Sequence, residues 1–394
     1  MATRIILLTI LFIFGDIYFY QAISVFVVSP LIPLLYWGVD IACILVLLAM
    51  AVFPTWRSRA KQFLPWLLSG LLLSLLPKLI ASPLLLAEDM YRLLTGFGER
   101  SIVVAALVLI VAALVLISML FGITRGKYHY KVRKETLYFS DLPADFDGFT
   151  ITQLSDIHAG SLGSKRAVQQ GITLANQQRS DLLLFTGDLV NHTAAEMEPW
   201  KDVFSQLKAP YGKYAILGNH DYGDYMQWES HAAKAFNLHQ LEQVHAEMGF
   251  SLLRNKAVQL VKDNARITLI GVENWGKGGF QRYGDLQKAT ENIADDSFRI
   301  LMSHDPSHWE EQVLPYRSPV QLTLSGHTHG MQFGIDLGFF KWSPIQYFYK
   351  EWAGLYQRHG KYLYVNRGFG FHGLQGRIGI WPEITVLTLK RSES

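Results

Sequence analysis

Residues 149–158 read Phe149-Thr150-Ile151-Thr152-Gln153-Leu154-Ser155-Asp156-Ile157-His158. A short, largely apolar run stops at a carboxylate and an imidazole, both able to hold a metal. The same grammar returns downstream. Run 182–185 leads into Thr186-Gly187-Asp188, and 214–217 leads into Gly218-Asn219-His220-Asp221. Run 298–302 leads into Ser303-His304-Asp305-Pro306, and 320–324 into Ser325-Gly326-His327-Thr328-His329-Gly330. Short runs rich in Ile, Leu, Val and Phe read as buried strands, with helix-compatible stretches such as 165–178 and 197–207 between them. More runs follow at 267–270, 362–365 and 384–389. The pattern predicts an α/β domain whose chemistry sits on loops beyond the carboxyl ends of its strands.

Singly, each of these signals is common in proteins. Together and in this order they point to metal chemistry. Carboxylates, imidazoles and an amide oxygen suit borderline divalent ions such as Mn, Fe, Zn or Co. Asp156, His158, Asp188, Asn219, His220, His304, His327 and His329 exceed what one ion needs. Two ions sharing a bridging carboxylate are therefore expected. Held about 3.5–4 Å apart, such a pair can activate a bridging hydroxide and neutralise phosphoryl oxygens during an in-line displacement.

The ordered set resembles the calcineurin-like metallophosphoesterase superfamily, whose motifs are D-x-H, GD, GNH[D/E], a later His and GHxH. It is most similar to the bacterial membrane-associated branch typified by YkuE and YaeI. The strings QLSDIH, FTGDLVN, LGNHDY, LMSHDP, LSGHTHGMQ, YVNRGFG and WPEIT carry the resemblance across 149–389. It implies a four-layer αββα sandwich of two mixed sheets flanked by helices. It also implies that Asp156, His158 and His329 bind one ion, that Asp188 bridges, and that Asn219, His304 and His327 complete the second. His220 would be the catalytic histidine near the scissile phosphate. Two positions depart from the pattern. Asn191 stands where phosphatase relatives carry an Asp that pairs with that histidine, and a neutral partner raises an imidazole pKa less. Met331 stands where many relatives have glycine. Asn191 and Arg367 are candidate substrate-binding residues, the latter through its planar fork, although an ion pair within the C-terminal loop would equally occupy Arg367. Asp221 could orient its loop.

The first third of the chain is different. The protein has 394 residues and is 50% hydrophobic, with a mean hydropathy of +0.15, and the excess lies before residue 125. Stretches near 5–27, 31–53, 63–86 and 102–123 can each span a bilayer core, for which about 20 residues suffice. A cleaved signal peptide is disfavoured for the first, because its apolar run exceeds the usual ~7–15 residues. The expected organisation is a transmembrane module over 1–125, a basic connection over 126–148 and the phosphoesterase domain over 149–394. Arg57, Arg59 and Lys61 lie between the second and third spans, and Arg125, Lys127, Lys131, Arg133 and Lys134 follow the fourth. The loop between spans three and four balances Arg92 and Arg100 against Glu88, Asp89 and Glu99. Basic flanks mark the cytoplasmic side. The catalytic domain is thus expected in the cytoplasm, on a bacterial inner membrane.

Asp16, Asp40 and Lys78 fall inside the spans, where charges usually pair or face a cavity. Cys43 is the single cysteine, so neither an internal disulfide nor a thiolate metal site can form. A formal charge of +3 is too small for nucleic acid to be an expected partner. The stretch 339–352 is dense in aromatics interleaved with Lys341 and Lys350. Either its rings fold into a local core, or they form an amphipathic shelf for headgroups or an acyl substrate. The reading is a membrane-anchored, metal-dependent phosphoric ester hydrolase (phosphatase, phosphodiesterase or pyrophosphatase), with a lipid or nucleotide-linked lipid as an attractive substrate. The alternative is a membrane sensor or transporter whose phosphoesterase-like domain only binds a ligand. The complete ligand set argues against it.

Overall fold

The computed structural model describes residues 2–27, 29–52, 64–291, 293 and 297–392. Arg57, Arg59 and Lys61, which carry part of the orientation argument, lie outside the described residues. The chain divides into two compact units, 1–124 with 373–375, and 125–372 with 376–394.

The first unit contains α1 (Ala2–Ser24), α2 (Leu31–Val52), α3 (Leu64–Thr95) and α4 (Ile102–Thr124). Segments 69–95 and 102–124 are long and apolar enough to cross a membrane. Leu34, Leu35, Ile102, Val103 and Ile117 point outward and are exposed, as a lipid-facing surface requires. The third helix runs further than the apolar pattern indicates. Hydrophobicity fades at Leu86, yet the helix continues to Thr95. Its polar last turns are stitched by Arg92 to Asp89 at 2.8 Å and by Arg100 to Glu88 at 2.8 Å. Glu88, Asp89 and Arg92 are therefore helical rather than part of a loop.

Lys78, Asp16 and Asp40 come together in this unit. The Lys78 ammonium donates to Asp16 Oδ1, to Asp40 Oδ2 at 2.7 Å and to Ser74 Oγ at 2.8 Å. Ser74 donates in turn to Asp40 at 2.6 Å. All three donors of the ammonium are used, and the cluster ties α1, α2 and α3 through their buried polar groups. The paired reading of these residues is the one realised.

The second unit is built on two six-stranded mixed sheets. The first has the order β1-β14-β2-β3-β4-β5 (Lys131–Phe139, Glu383–Arg391, Thr150–Leu154, Leu182–Phe185, Lys213–Ala215, Ser251–Leu252). The second has the order β12-β13-β9-β8-β7-β6 (Gly354–Arg358, Lys361–Val365, Leu322–Ser325, Arg299–Met302, Ala265–Gly271, Lys256–Lys262). In the first, β2, β3, β4 and β5 run parallel. In the second, β7, β8, β9 and β13 do. Both faces of these central strands are covered, which is why they read as unbroken apolar runs. On β3, Leu182 and Leu184 join the core shared with the second sheet, while Leu183 and Phe185 join the core on the opposite face. That outer core receives Val168, Ile172 and Ala175 of α5 (Lys165–Gln177) and Leu241 and Val244 of α7 (His231–Glu247). Residues 168, 172 and 175 form one helical stripe. Ser164 caps α5 by accepting from Ala167 N at 3.3 Å, a bond of the kind that contributes about 1 kcal/mol. The second sheet buries its far face, including Leu301, against Trp309 and Val313. Short helices α6 (Lys201–Phe204) and α8 (Leu286–Thr290) complete the outer layers. The result is the αββα sandwich, with the ends of β2, β3 and β4 and of β8 and β9 delivering their loops to one place.

Candidate metal centre

Three of the five strand-end loops, those after β2, β3 and β9, leave through an unusual backbone turn. Asp156, His158, Asp188, His327 and His329 all have positive φ, at 53°, 49°, 60°, 72° and 51°. Non-glycine residues held there cost about 1–2 kcal/mol each, and such strain gathers where function over-determines the geometry. Close approach needs glycine at two neighbouring positions. A Cβ on Gly218 would meet Asp188 Oδ1 at 2.2 Å, and one on Gly326 would meet Asp156 Oδ2 at 2.3 Å. Asp221, fully buried, holds the loops in register. Its carboxylate accepts from Asp188 N (2.9 Å), Gly218 N (2.8 Å) and Leu189 N (2.8 Å). Burial, then the charge on Asp188, pushes its pKa up to about 7.

The seven residues expected as ligands converge. His158 Nε2 and His329 Nε2 face each other at 3.0 Å. His329 Nε2 lies 3.2 Å from Asp156 Oδ1. Asp188 Oδ2 stands in the middle, 3.5 Å from His158 Nε2 and 3.2 Å from His304 Nε2. On the far side, Asn219 Oδ1 is 3.2 Å from His304 Nε2 and 2.8 Å from His327 Nδ1. The donor atoms of Asp156, His158 and His329 lie within 4.8 Å of one another, as do those of Asp156, Asp188 and His304.

Outer contacts fix how these rings present themselves. His304 Nδ1–H donates to Thr186 O at 2.7 Å, which leaves the Nε2 lone pair facing inward. His158 Nδ1–H donates to Asn191 Oδ1 at 3.1 Å with the same result. His327 turns its Nε2 to the Tyr349 hydroxyl at 2.8 Å and its Nδ1 inward. Lone pairs and carboxylate oxygens therefore point at one another, and only a cation or protons can lie between them. This donor set fits divalent ions. In the metal-free chain a proton serves. Burial opposes charge on His304, but the Asp188 carboxylate overcomes it and holds the ring up to about 10. At His158 burial outweighs the same carboxylate and keeps the ring well below the usual histidine range.

His220 borders the cluster without joining the carboxylates. Its Nδ1–H donates to the backbone carbonyl of Asn191 at 2.9 Å, which leaves the lone pair on Nε2. The backbone of residue 191, not its side chain, thus orients this histidine. Glu196 pins that loop by accepting from Asn191 N (2.6 Å) and His192 N (2.9 Å). The Asn191 amide is occupied elsewhere. Its Oδ1 accepts from His158 and, at 3.0 Å, from His372 Nδ1. Arg367 is buried, with Nη1 donating to Glu383 at 2.6 Å and Nη2 to Asp336 at 3.0 Å. The structure thus places Arg367 in an internal ion-pair network and Asn191 behind the ligand ring.

Residues 3–127 match the family described as "Probable Calcineurin-like phosphoesterase, transmembrane domain", and 149–331 match "Calcineurin-like phosphoesterase". The metallophosphoesterase YkuE of Bacillus subtilis, described as uncharacterized, is 32% identical over 65% of this chain and 84% of that protein. The chain belongs to the calcineurin-like phosphoesterase family. A metallophosphoesterase of Aquifex aeolicus, also uncharacterized, is 28% identical over 67% of this chain and 93% of its own length. The "Transmembrane protein with metallophosphoesterase domain" of Danio rerio is 27% identical over 72% of this chain and 63% of its own length. Family membership supports a phosphoester hydrolase, and the matched transmembrane domain with its apolar helices makes the chain a membrane protein.

Sequence reasoning assigned no role to two residues that border this site, His372 and Arg377. His372 stacks on His158 at 4.7 Å between ring centres and meets His220 at 4.5 Å. His158, His220 and His372 form a third group whose ligand atoms lie within 4.8 Å of one another. Burial, then the neighbouring His220 and His329, pulls His372 down to about 3. Arg377, fully buried, donates to Gly370 O at 2.8 Å and Arg367 O at 2.7 Å, so it braces the loop behind His329. Neither residue lies in a strand-end motif. Their only signal is that each follows the YVNRGFG string by a few positions.

Proposed function

We propose that this protein hydrolyses a phosphate ester or pyrophosphate at a dinuclear metal centre, with a lipid or nucleotide-linked lipid as its substrate class. The observation that carries this reading is the inward convergence of ring lone pairs and carboxylates around Asp188, a donor set suited to divalent cations. Asp156, His158 and His329 would hold one ion, Asn219, His304 and His327 the other, and Asp188 would touch both. Two ions bound there would neutralise charge on the phosphoryl group and acidify the attacking water. His220, oriented by the Asn191 carbonyl, directs Nε2 toward the substrate and, as the imidazolium protonated on both nitrogens, can donate the Nε2 proton to the leaving oxygen and be left neutral. Thr186 O and the Asn191 side chain keep the ligand rings from rotating, which preserves the donor geometry between turnovers.

The lipid assignment is supported by the membrane helices, which keep the centre among amphiphilic esters. The division into a module over 1–125, a connection over 126–148 and a catalytic domain over 149–394 belongs to the same proposal. So do four spans, a bacterial inner membrane and a cytoplasmic catalytic domain, for which the basic flank 125–134 is the support. Purified full-length protein should release p-nitrophenol from an aryl phosphate ester when Mn is added. Asp188→Asn keeps the oxygen that accepts from His220 N at 2.9 Å but loses the bridging charge. It should lower turnover by about a thousandfold, equivalent to ~4 kcal/mol. Activity that survives both chelation and this substitution would refute the centre.

A further inference from the structure

The aromatic stretch left open by the sequence divides in two. Ile345 and Tyr349 fold inward against Trp352, Ala353 and Ile380. The rest points to solvent. Strands β10 (Ile335–Asp336) and β11 (Lys341–Trp342) form an antiparallel hairpin, closed by Leu337 N donating to Phe340 O at 2.9 Å. Gly338 takes φ +84° in that turn. The tip therefore reads Leu337-Gly338-Phe339-Phe340, and Phe339 is 91% exposed. In the turn that follows, Tyr347 is 74% and Phe348 72% exposed. Among the described residues from 125 onward, seven of the thirteen exposed large hydrophobic side chains lie in 331–348. Such clustering marks an interaction surface rather than scattered surface apolarity.

The hairpin is presented rigidly. Asp336 at its base accepts from Arg133 at 2.7 Å and Arg367 at 3.0 Å. Ser343 Oγ donates to Gly330 O at 2.8 Å, and Gly334 N to Ile378 O at 3.0 Å. The Ser343 bond ties the base to the residue after His329, and the pair with Asp336 engages the buried Arg367. We propose that the tip 337–340 and the turn 347–348 insert into the headgroup–acyl boundary of a bilayer containing anionic lipid.

The occupant follows from three observations. Protruding rings on a tight turn suit a fluid apolar phase, whereas a protein partner would require a matching groove. Phe, Leu and Tyr flanked by the exposed Lys350 match the composition of an interfacial element that meets anionic headgroups. Finally, the chain carries its own membrane helices, so a bilayer is covalently kept at high effective concentration. Tyr349, beside the tip segment, reaches His327 at 2.8 Å, so insertion would hold the metal centre close to the lipid headgroups.

The test uses full-length protein in nanodiscs of phosphatidylcholine and phosphatidylglycerol, in a Cys43→Ser background. An environment-sensitive fluorophore is placed at Phe339→Cys or Phe348→Cys, with Phe236→Cys on α7 as the exposed control. The proposal expects blue-shifted emission and quenching by boundary-depth spin-labelled lipids at 339 and 348, with neither at 236. Emission at 339 as accessible to aqueous iodide as at 236 would overturn it. So would labels that ignore lipid quenchers but show energy transfer between two copies in one disc, which would assign the surface to a second chain. The combined variant Leu337→Ser, Phe339→Ser, Phe340→Ser should leave hydrolysis of a water-soluble aryl ester unchanged. Its Phe348→Cys label should lose lipid quenching, and retained quenching there would contradict insertion of the tip. The depth readout needs no turnover, so it stands apart from the hydrolase reading.

Discussion

Two clusters of buried charge are built on opposite plans. Among the membrane helices, Lys78 sits between Asp16 and Asp40 and uses every ammonium proton. In the catalytic unit, Asp156 and Asp188 meet inward-facing ring nitrogens, and the buried Arg377 alongside is turned chiefly to backbone carbonyls. The first cluster brings its own counter-charge. The second leaves its counter-charge to be supplied from outside. A cluster that carries its own cation holds helices together, whereas one without a cation of its own suits a recruited ion, and the difference separates structure from chemistry.

The largest effect expected is on turnover. His220 borders the acceptor-rich cluster but is proposed to carry no ion. His220→Gln should therefore lower kcat by about 10²–10⁴-fold while the bound metal per chain stays constant in elemental analysis. A fall in metal content alongside kcat would move His220 into the ligand ring.

Breaking the other cluster should cost stability instead. Lys78→Met leaves two buried carboxylates unpaired, a change of about 3–5 kcal/mol, seen as a lower melting temperature in detergent. Aryl ester hydrolysis by the remaining folded protein should persist. Adding Asp16→Asn and Asp40→Asn should restore most of the loss. If the triple variant stays as unstable as Lys78→Met, pairing is not what the lysine contributes.

How much of this contrast was legible in the sequence depends on which interactions are local. The strand-end motifs are local, because a buried strand and the turn that ends it are consecutive in the chain. All seven ligand candidates could be read from them, and the structure brings all seven together. The sandwich could not be read that way, because the pairing of β1 with β14 joins residues 131 and 383; it came from the resemblance alone. The left-handed turns at Asp156, His158 and Asp188 were invisible, since they place ordinary residues where glycine is the usual signal. At Asn191 the side chain drew attention when the backbone carbonyl held the orienting role. For Arg367 the ion-pair alternative is the one realised, with Glu383 and the distant Asp336 as partners that its own neighbourhood in the sequence does not name. The end of α3 was misread because its last turns carry Glu88, Asp89 and Arg92, so the apolar run stops before the helix does.

A smaller effect should appear in acid. His245 lies fully buried on α7, with Nδ1 donating to Leu241 O at 2.9 Å. Burial pulls its pKa down to about 4, below the roughly 6.5 of an unfolded chain. The unfolded state therefore takes up this proton first. Stability should fall as pH drops from about 6.5 to 4, by up to ~3 kcal/mol from this residue. His245→Leu should flatten that part of the stability–pH curve, measured by denaturant unfolding. An unchanged slope would show that the imidazole is not the group responsible.

The central claim is that the cluster around Asp188 is completed by ions, and counting them tests it most directly. Titration calorimetry of full-length, chelator-stripped protein with Mn should give two ions per chain. Because His304 holds its proton up to about 10, binding should release protons and tighten as pH rises. Asp188→Asn should abolish the second ion or weaken both. No binding, or two ions held equally well by Asp188→Asn, would contradict the account.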